Sequence, residues 1–209
     1  MVGARTGCGF IAGTLVHTRE GLQPIEALSV GDAVLSRVEP GGRLVDARVL
    51  GTFRSTSDGV LVNRYALASL FKSSLQTRYH VLSTPDQPFW LNDVGWTAAE
   101  RLRFGGSEEP QLSLADGGSC WFWTSVFAYA TDGPAWYVPD HPDIAQGGDL
   151  LDPRTQAILR TSPYRWEDWA DEDERPILAS CEVFSLEVEA QHGFFVGEHG
   201  VWVRGVRTA

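Results

Sequence analysis
The rhythm of turn signals constrains this chain more than any other feature. Short runs rich in β-branched and aromatic residues recur along it, each cut by Gly, Pro, Asn or Asp. Residues 14–17 read as a strand ended by Arg19-Glu20-Gly21. Gly31-Asp32 turns into a strand at 33–38, and Pro40-Gly41-Gly42 precedes a β-rich run at 43–53. Residues 79–83 form a strand stopped by Thr84-Pro85, and Phe89-Trp90-Leu91 one stopped by Asn92-Asp93-Val94-Gly95. Alternation resumes at 177–189, and strands at 194–196 and 201–203 flank the turn Glu198-His199-Gly200. Helical signals are confined to one turn after Pro24 and one at 98–102, while 61–75 fits no single period. Many short strands with few helices predict an all-β domain.

The chain has 209 residues, enough for one domain with a substantial core, or one domain with a large insertion. Composition shifts after Arg103. Gly105-Gly106 and Gly117-Gly118 bracket short segments, Trp121-Phe122-Trp123 is aromatic-dense, and prolines stand at 134, 139, 142, 153, 163 and 176. An acidic run occupies 167–174 and reads as a solvated face. Residues 103–176 are therefore expected to be an insertion with some strands and a loose, acidic later part, within a single domain spanning 1–209. No apolar run is long enough to cross a bilayer, so no membrane partner is expected. Residues 1–7 are too short and polar for a signal peptide. A net charge of −10 argues against nucleic acid. The cysteines at 8, 120 and 181 are odd in number and lack metal-ligand spacing, so no metal or cofactor is expected and a reducing, cytoplasmic setting is the simpler assumption.

Three segments carry a family resemblance. Cys8-Gly9-Phe10-Ile11-Ala12-Gly13-Thr14-Leu15-Val16, continued through Pro24-Ile25-Glu26-Ala27-Leu28 and Val30-Gly31-Asp32-Ala33-Val34-Leu35-Ser36, is similar to the first conserved block of the Hint superfamily of inteins, bacterial intein-like domains and hedgehog-type autoprocessing domains. Thr84-Pro85-Asp86-Gln87-Pro88-Phe89-Trp90 resembles the second block, Thr-x-x-His. Val183 to Glu189, His192, Phe194-Phe195-Val196 and Gly200-Val201-Trp202-Val203 resemble the last block. The resemblance covers roughly 8–102 and 181–205, with the blocks in family order. It implies a flattened, horseshoe-shaped body of short antiparallel strands that brings both ends of the domain to one site. It also implies that Cys8 attacks the carbonyl of Gly7, with the chain's own flanking polypeptide as substrate.

Such an N-to-S acyl shift is demanding. A free thiol has a pKa of roughly 8.5, so little of it is thiolate at neutral pH. An amide is a poor electrophile, and its leaving nitrogen needs a proton. By resemblance Thr84 lies at the site. Position 87 is glutamine where the family has histidine, and glutamine donates a hydrogen bond but shuttles no proton. Losing a general acid or base costs on the order of 10² to 10⁴ in rate. His80, four residues before Thr84 and roughly 13 Å away along a strand, is too distant to replace it. His192 matches a last-block histidine and is the best surviving proton carrier, while His17 and His199 take strand and turn positions. Ser185 stands where many inteins carry an aspartate that tunes the cysteine.

The family's terminal His-Asn pair corresponds to Arg204-Gly205, followed by Val206. Glycine has no side chain to cyclise, and valine is no nucleophile, so ligation of the two flanks is excluded in this register; Thr208 has no asparagine before it. The expected activity is single-turnover self-cleavage, with Cys8, Thr84 and His192 catalytic and Gly7, Gln87, Ser185, Arg204 and Gly205 lining the site. Water or an external thiol would release the upstream segment. The alternative is a Hint relic, inactive through the changes at 87, 204 and 205, that serves as a structural or binding module. A third possibility gives the Trp-rich insertion a protein partner that assists cleavage.

Overall fold
The computed structural model describes residues 7–67, 79–102, 110–141, 144–165, 177–189 and 193–206. The acidic run at 167–174, His192, Thr208 and the later part of the ambiguous 61–75 stretch lie outside them. The described chain is almost entirely antiparallel strand, as the turn signals predict.

The amino-terminal strands are β1 (Phe10–Ile11), β2 (Leu15–Thr18), β3 (Gly21–Pro24), β4 (Ala33–Arg37), β5 (Leu44–Asp58), β6 (Leu61–Leu67), β7 (Tyr79–Ser83), β8 (Pro88–Leu91) and β9 (Gly95–Ala98). Then follow β10 (Gln111–Ser113), β11 (Ser119–Phe127), β12 (Tyr129–Ala130), β13 (Trp136–His141), β14 (Ile144–Asp152) and β15 (Ala157–Arg165). β16 (Ser180–Val188), β17 (Gly193–Val196) and β18 (Val201–Arg204) close the fold. The two expected helical turns are single 3₁₀ turns, Ile25–Ala27 after Pro24 and Ala99–Arg101.

One open sheet runs β3-β2-β17-β18-β8-β10-β11-β6-β7-β1-β16-β5-β4, with β9 paired to β8. Chain order and sheet order differ most where the ends meet. β1 lies between β7 and β16, with Phe10 opposite both Ser83 and Phe184. The closing hairpin β17–β18 lies between β2 and β8, with Val196 opposite Val16 and Val203 opposite Phe89.

β1 has only two residues, yet it commits to two cores, because neighbouring side chains on a strand face opposite ways. Phe10 enters the larger core and meets Phe89 and Phe194 edge-on at 6.4 and 6.2 Å. Ile11 enters a second core with Val62, Leu82, Trp136, Val138 and Leu151. Burying each such side chain contributes about 1.5–3 kcal/mol, so the strand is fixed by its two faces rather than by its length.

The second core lies beneath a separate four-stranded sheet, β12-β13-β14-β15. The stretch expected to be an insertion thus divides between two sheets, since β10 and β11 pair with β8 and β6 of the main one. β13, β14 and β15 fall in the later part of that stretch, which was expected to be loose. Prolines obscured them: Pro139 sits beside a register shift in β13, where a missing ladder hydrogen bond is tolerated. The buried guanidinium of Arg64 on β6 links the sheets, donating to the Pro139 carbonyl at 2.7 Å and pairing with Asp149 on β14 at 3.1 Å. β5 exceeds the 43–53 run because its later residues, reaching Asp58, pair with β16.

Candidate functional site
Cys8 precedes β1 by one glycine, and that glycine anchors it. The Gly9 amide donates to Thr84 Oγ1 at 3.1 Å, and the Thr84 amide donates back to the Gly9 carbonyl at 2.9 Å. On the other side the Ser185 hydroxyl of β16 donates to the Cys8 carbonyl. A Cβ on Gly9 would lie 2.8 Å from the Phe184 carbonyl oxygen and 2.8 Å from Ser185 Oγ, so only glycine lets the strands approach this closely. The contrast with Gly7 is sharp: a Cβ there would meet no described atom within 4 Å.

The second block is a tight turn, closed by the Gln87 amide on the Thr84 carbonyl at 3.2 Å. Gln87 is buried, and its side-chain amide donates to the Arg204 carbonyl at 2.8 Å and the Pro88 carbonyl at 3.1 Å. Beyond β18 the Val206 amide donates to the Leu186 carbonyl at 3.0 Å, next to Ser185. The Arg204 guanidinium lies over the Trp96 ring, 5.7 Å from its centroid. Trp96 packs against Trp90 and Trp202, the latter from β18, with ring centroids 5.1 Å apart. These tryptophans, Trp202 buried and Trp90 and Trp96 half-buried against it, form a support for the closing strand.

The structure thus joins Cys8, Thr84, Gln87, Ser185 and Arg204 into one cluster, with Gly7 and Gly205 next in the chain. His192 lies outside the described residues. Three histidines that the sequence keeps away from the site bond elsewhere: His17 Nε2 to the Gly197 carbonyl, His80 Nε2 to the Gln156 carbonyl, and His199 Nδ1 to the Tyr65 hydroxyl. Cys120 is fully buried and Cys181 half-buried. Asp32 accepts from the Ser29 amide at 2.8 Å, the turn-forming role expected of it.

Electrostatics at Cys8 oppose ionisation. Burial, then the Asp86 carboxylate, push its thiol up to about 11; its own backbone hydrogen bond and the Arg204 guanidinium pull the other way. At neutral pH only about one thiol in 10⁴ is then thiolate. Asp86 is exposed on the turn between Thr84 and Gln87. Asp86 is not among the expected site residues; its place in the second block between Thr84 and Gln87 is the signal that could have found it.

No protein-family model matches the chain. No curated protein matches it. Solved structures do. A bacterial intein-like domain from Clostridium thermocellum is 19% identical with a TM-score of 0.57, covering 94% of this chain and 97% of that one. A DnaB intein from Synechocystis is 13% identical with a TM-score of 0.54, covering 96% and 99%. The gp41-1 intein is 14% identical with a TM-score of 0.51, covering 95% and 99%. The chain therefore has the Hint fold that the sequence resemblance implied, over nearly its whole length.

Proposed function
We propose that this chain is an intein-like autoprocessing domain limited to its amino-terminal half-reaction. The Cys8 sulfur attacks the Gly7 carbonyl carbon. The S–C bond forms, the Gly7–Cys8 C–N bond breaks, and the thiol proton ends on the Cys8 nitrogen. Water or an external thiol then takes the acyl group from sulfur and releases the upstream segment. The observation that carries this reading is the bracketing of Cys8: Thr84 holds the amide after it and Ser185 holds its own carbonyl. That grip fixes the residue bearing both the nucleophile and the leaving nitrogen, which lowers the entropic cost of reaching an attack geometry. Thr84 Oγ1 accepts from Gly9, leaving its hydroxyl proton to stabilise developing charge. Proton transfer falls to His192 or to the Asp86 carboxylate beside the thiol. Gly205 has no side chain to cyclise, so the carboxy-terminal flank stays attached.

The test is a reporter protein fused before Gly7 and treated with dithiothreitol or hydroxylamine. Release of the reporter from the parent, and not from Cys8→Ala, is the expected result. Equal, negligible release from both overturns the activity.

One observation favours a second reading, a catalytically silent Hint module with a structural or binding role. Gln87 commits its amide to the Arg204 and Pro88 carbonyls, the behaviour of a brace rather than of a proton carrier. Release that appears only in Gln87→His favours this reading.

A further inference from the structure
Gln156 ends the turn between β14 and β15, on the separate four-stranded sheet, and its backbone stands at φ +58°. Glutamine adopts that left-handed conformation at a steric cost, so surrounding contacts must hold it there. The turn itself is organised by Asp152, which accepts from the Arg154 amide at 2.9 Å and the Thr155 hydroxyl at 3.0 Å. From this platform the Gln156 carboxamide reaches the main sheet. Its Nε2 donates to the Ala12 carbonyl at 2.9 Å and to Thr14 Oγ1 at 3.2 Å. Its backbone carbonyl accepts from His80 Nε2 at 2.7 Å, on β7, the strand that leads into Thr84.

Ala12 and Thr14 belong to the turn that leaves β1, closed by the Thr14 amide on the Ile11 carbonyl at 3.3 Å. The nucleophile's strand is therefore held at its start by Thr84 and Ser185, and at its exit by Gln156. Gln156 also touches the neighbouring strand β7, so one residue sets the exit of β1 against the approach to Thr84. We infer that Gln156 is a positioning residue: the four-stranded sheet uses it to fix β1 against β7, and so holds the Cys8 sulfur in register with Thr84. This rests on the cleavage reading above for its catalytic consequence, though not for its geometry. A displacement near 1 Å at a reacting centre costs on the order of a hundredfold in rate.

The variant Gln156→Glu keeps the size and the carbonyl facing His80, but replaces the donor by an acceptor against Ala12. Leu159→Ala, an exposed change on β15, is the control. In the reporter fusion, Gln156→Glu is expected to lower the release rate at saturating dithiothreitol about tenfold or more, with the half-saturating thiol concentration unchanged. A loss of reactive fraction with an unchanged rate constant would indicate a merely structural role and overturn the inference. Alkylation of Cys8 by iodoacetamide, followed by peptide mass, is measured on the same variants and does not depend on cleavage. A rate altered at least threefold in Gln156→Glu and unaltered in Leu159→Ala supports the positioning role even if the parent releases no reporter. Identical alkylation in all three proteins overturns it.

Discussion
The side-chain amide of Gln87 donates to the backbone carbonyl of Arg204 at 2.8 Å, joining the second conserved block to the closing strand. A residue that stands where a proton shuttle would be expected is instead a buried tie between the two ends of the domain.

That tie has a stability consequence. Gln87→Leu leaves the Arg204 carbonyl without its donor, and an unsatisfied buried group costs about 1–3 kcal/mol. Urea unfolding should show a lower midpoint with an unchanged slope. Gln87→His restores an imidazole at this position and should raise reporter release by on the order of 10² to 10⁴ in a domain otherwise competent. No change in release would remove proton transfer at position 87 as the limiting factor.

Gly9 and Gly7 should respond in opposite ways. Gly9→Ala drives a methyl to 2.8 Å from a backbone oxygen, and overpacking of this kind costs about 1–3 kcal/mol. It should also slow reporter release, because it parts β1 from β16. Gly7→Ala places a Cβ with no described atom within 4 Å and should leave the thermal midpoint within experimental error. A Gly7→Ala protein as destabilised as Gly9→Ala would contradict the open space found there.

The charge environment of Cys8 is open to titration. Its alkylation rate should rise about tenfold per pH unit from neutrality and level off near about 11. Asp86→Asn removes the carboxylate that opposes ionisation and should move the profile to lower pH; Arg204→Met should move it to higher pH. The sign for stability follows from proton binding. A thiol with a raised folded-state pKa favours the native state while protonated, so its contribution is full below the unfolded value and is lost as pH climbs through about 11. Cys181, pushed up to about 11 chiefly by burial, acts in the same direction. Denaturant midpoints should therefore fall between pH 9 and 11, and a rise across that window would refute this account.

Arg64 and Asp149 connect the two sheets at 3.1 Å, with 4% and 15% of their side chains exposed. Asp149→Asn removes a counter-charge that faces the buried guanidinium, and breaking a buried pair from one side costs about 3–5 kcal/mol. Replacing both, as Arg64→Met with Asp149→Leu, should recover much of that loss. Calorimetry on the single and double variants checks it, and additive losses would show that the pair is not coupled.

Much of this fold was legible along the chain because turns are local. Gly31-Asp32, Thr84-Pro85 and Asn92-Asp93-Val94-Gly95 mark strand ends through backbone preferences that need no distant partner. Tyr79–Ser83 has the bounds expected of a strand stopped by Thr84-Pro85, and the closing hairpin flanks its expected turn. β13 and β15 were hidden, because a proline is accepted in a strand only at an edge or a bulge, and which strand is an edge is a property of the sheet.

The site divides along the same line. Residue order along the chain specifies which groups are available: a cysteine after a glycine, a threonine with glutamine three residues on, and an arginine-glycine pair whose glycine has no side chain to cyclise. What those groups face follows from the pairing of strands far apart in the chain. It set Gln87 on Arg204, Asp86 and Arg204 around the thiol, and Gln156 on the exit of β1. Hydrogen bonds and charges act over a few ångströms, and these partners are separated by as many as 196 positions in the chain, from Cys8 to Arg204. Only the pairing of distant strands brings them within range.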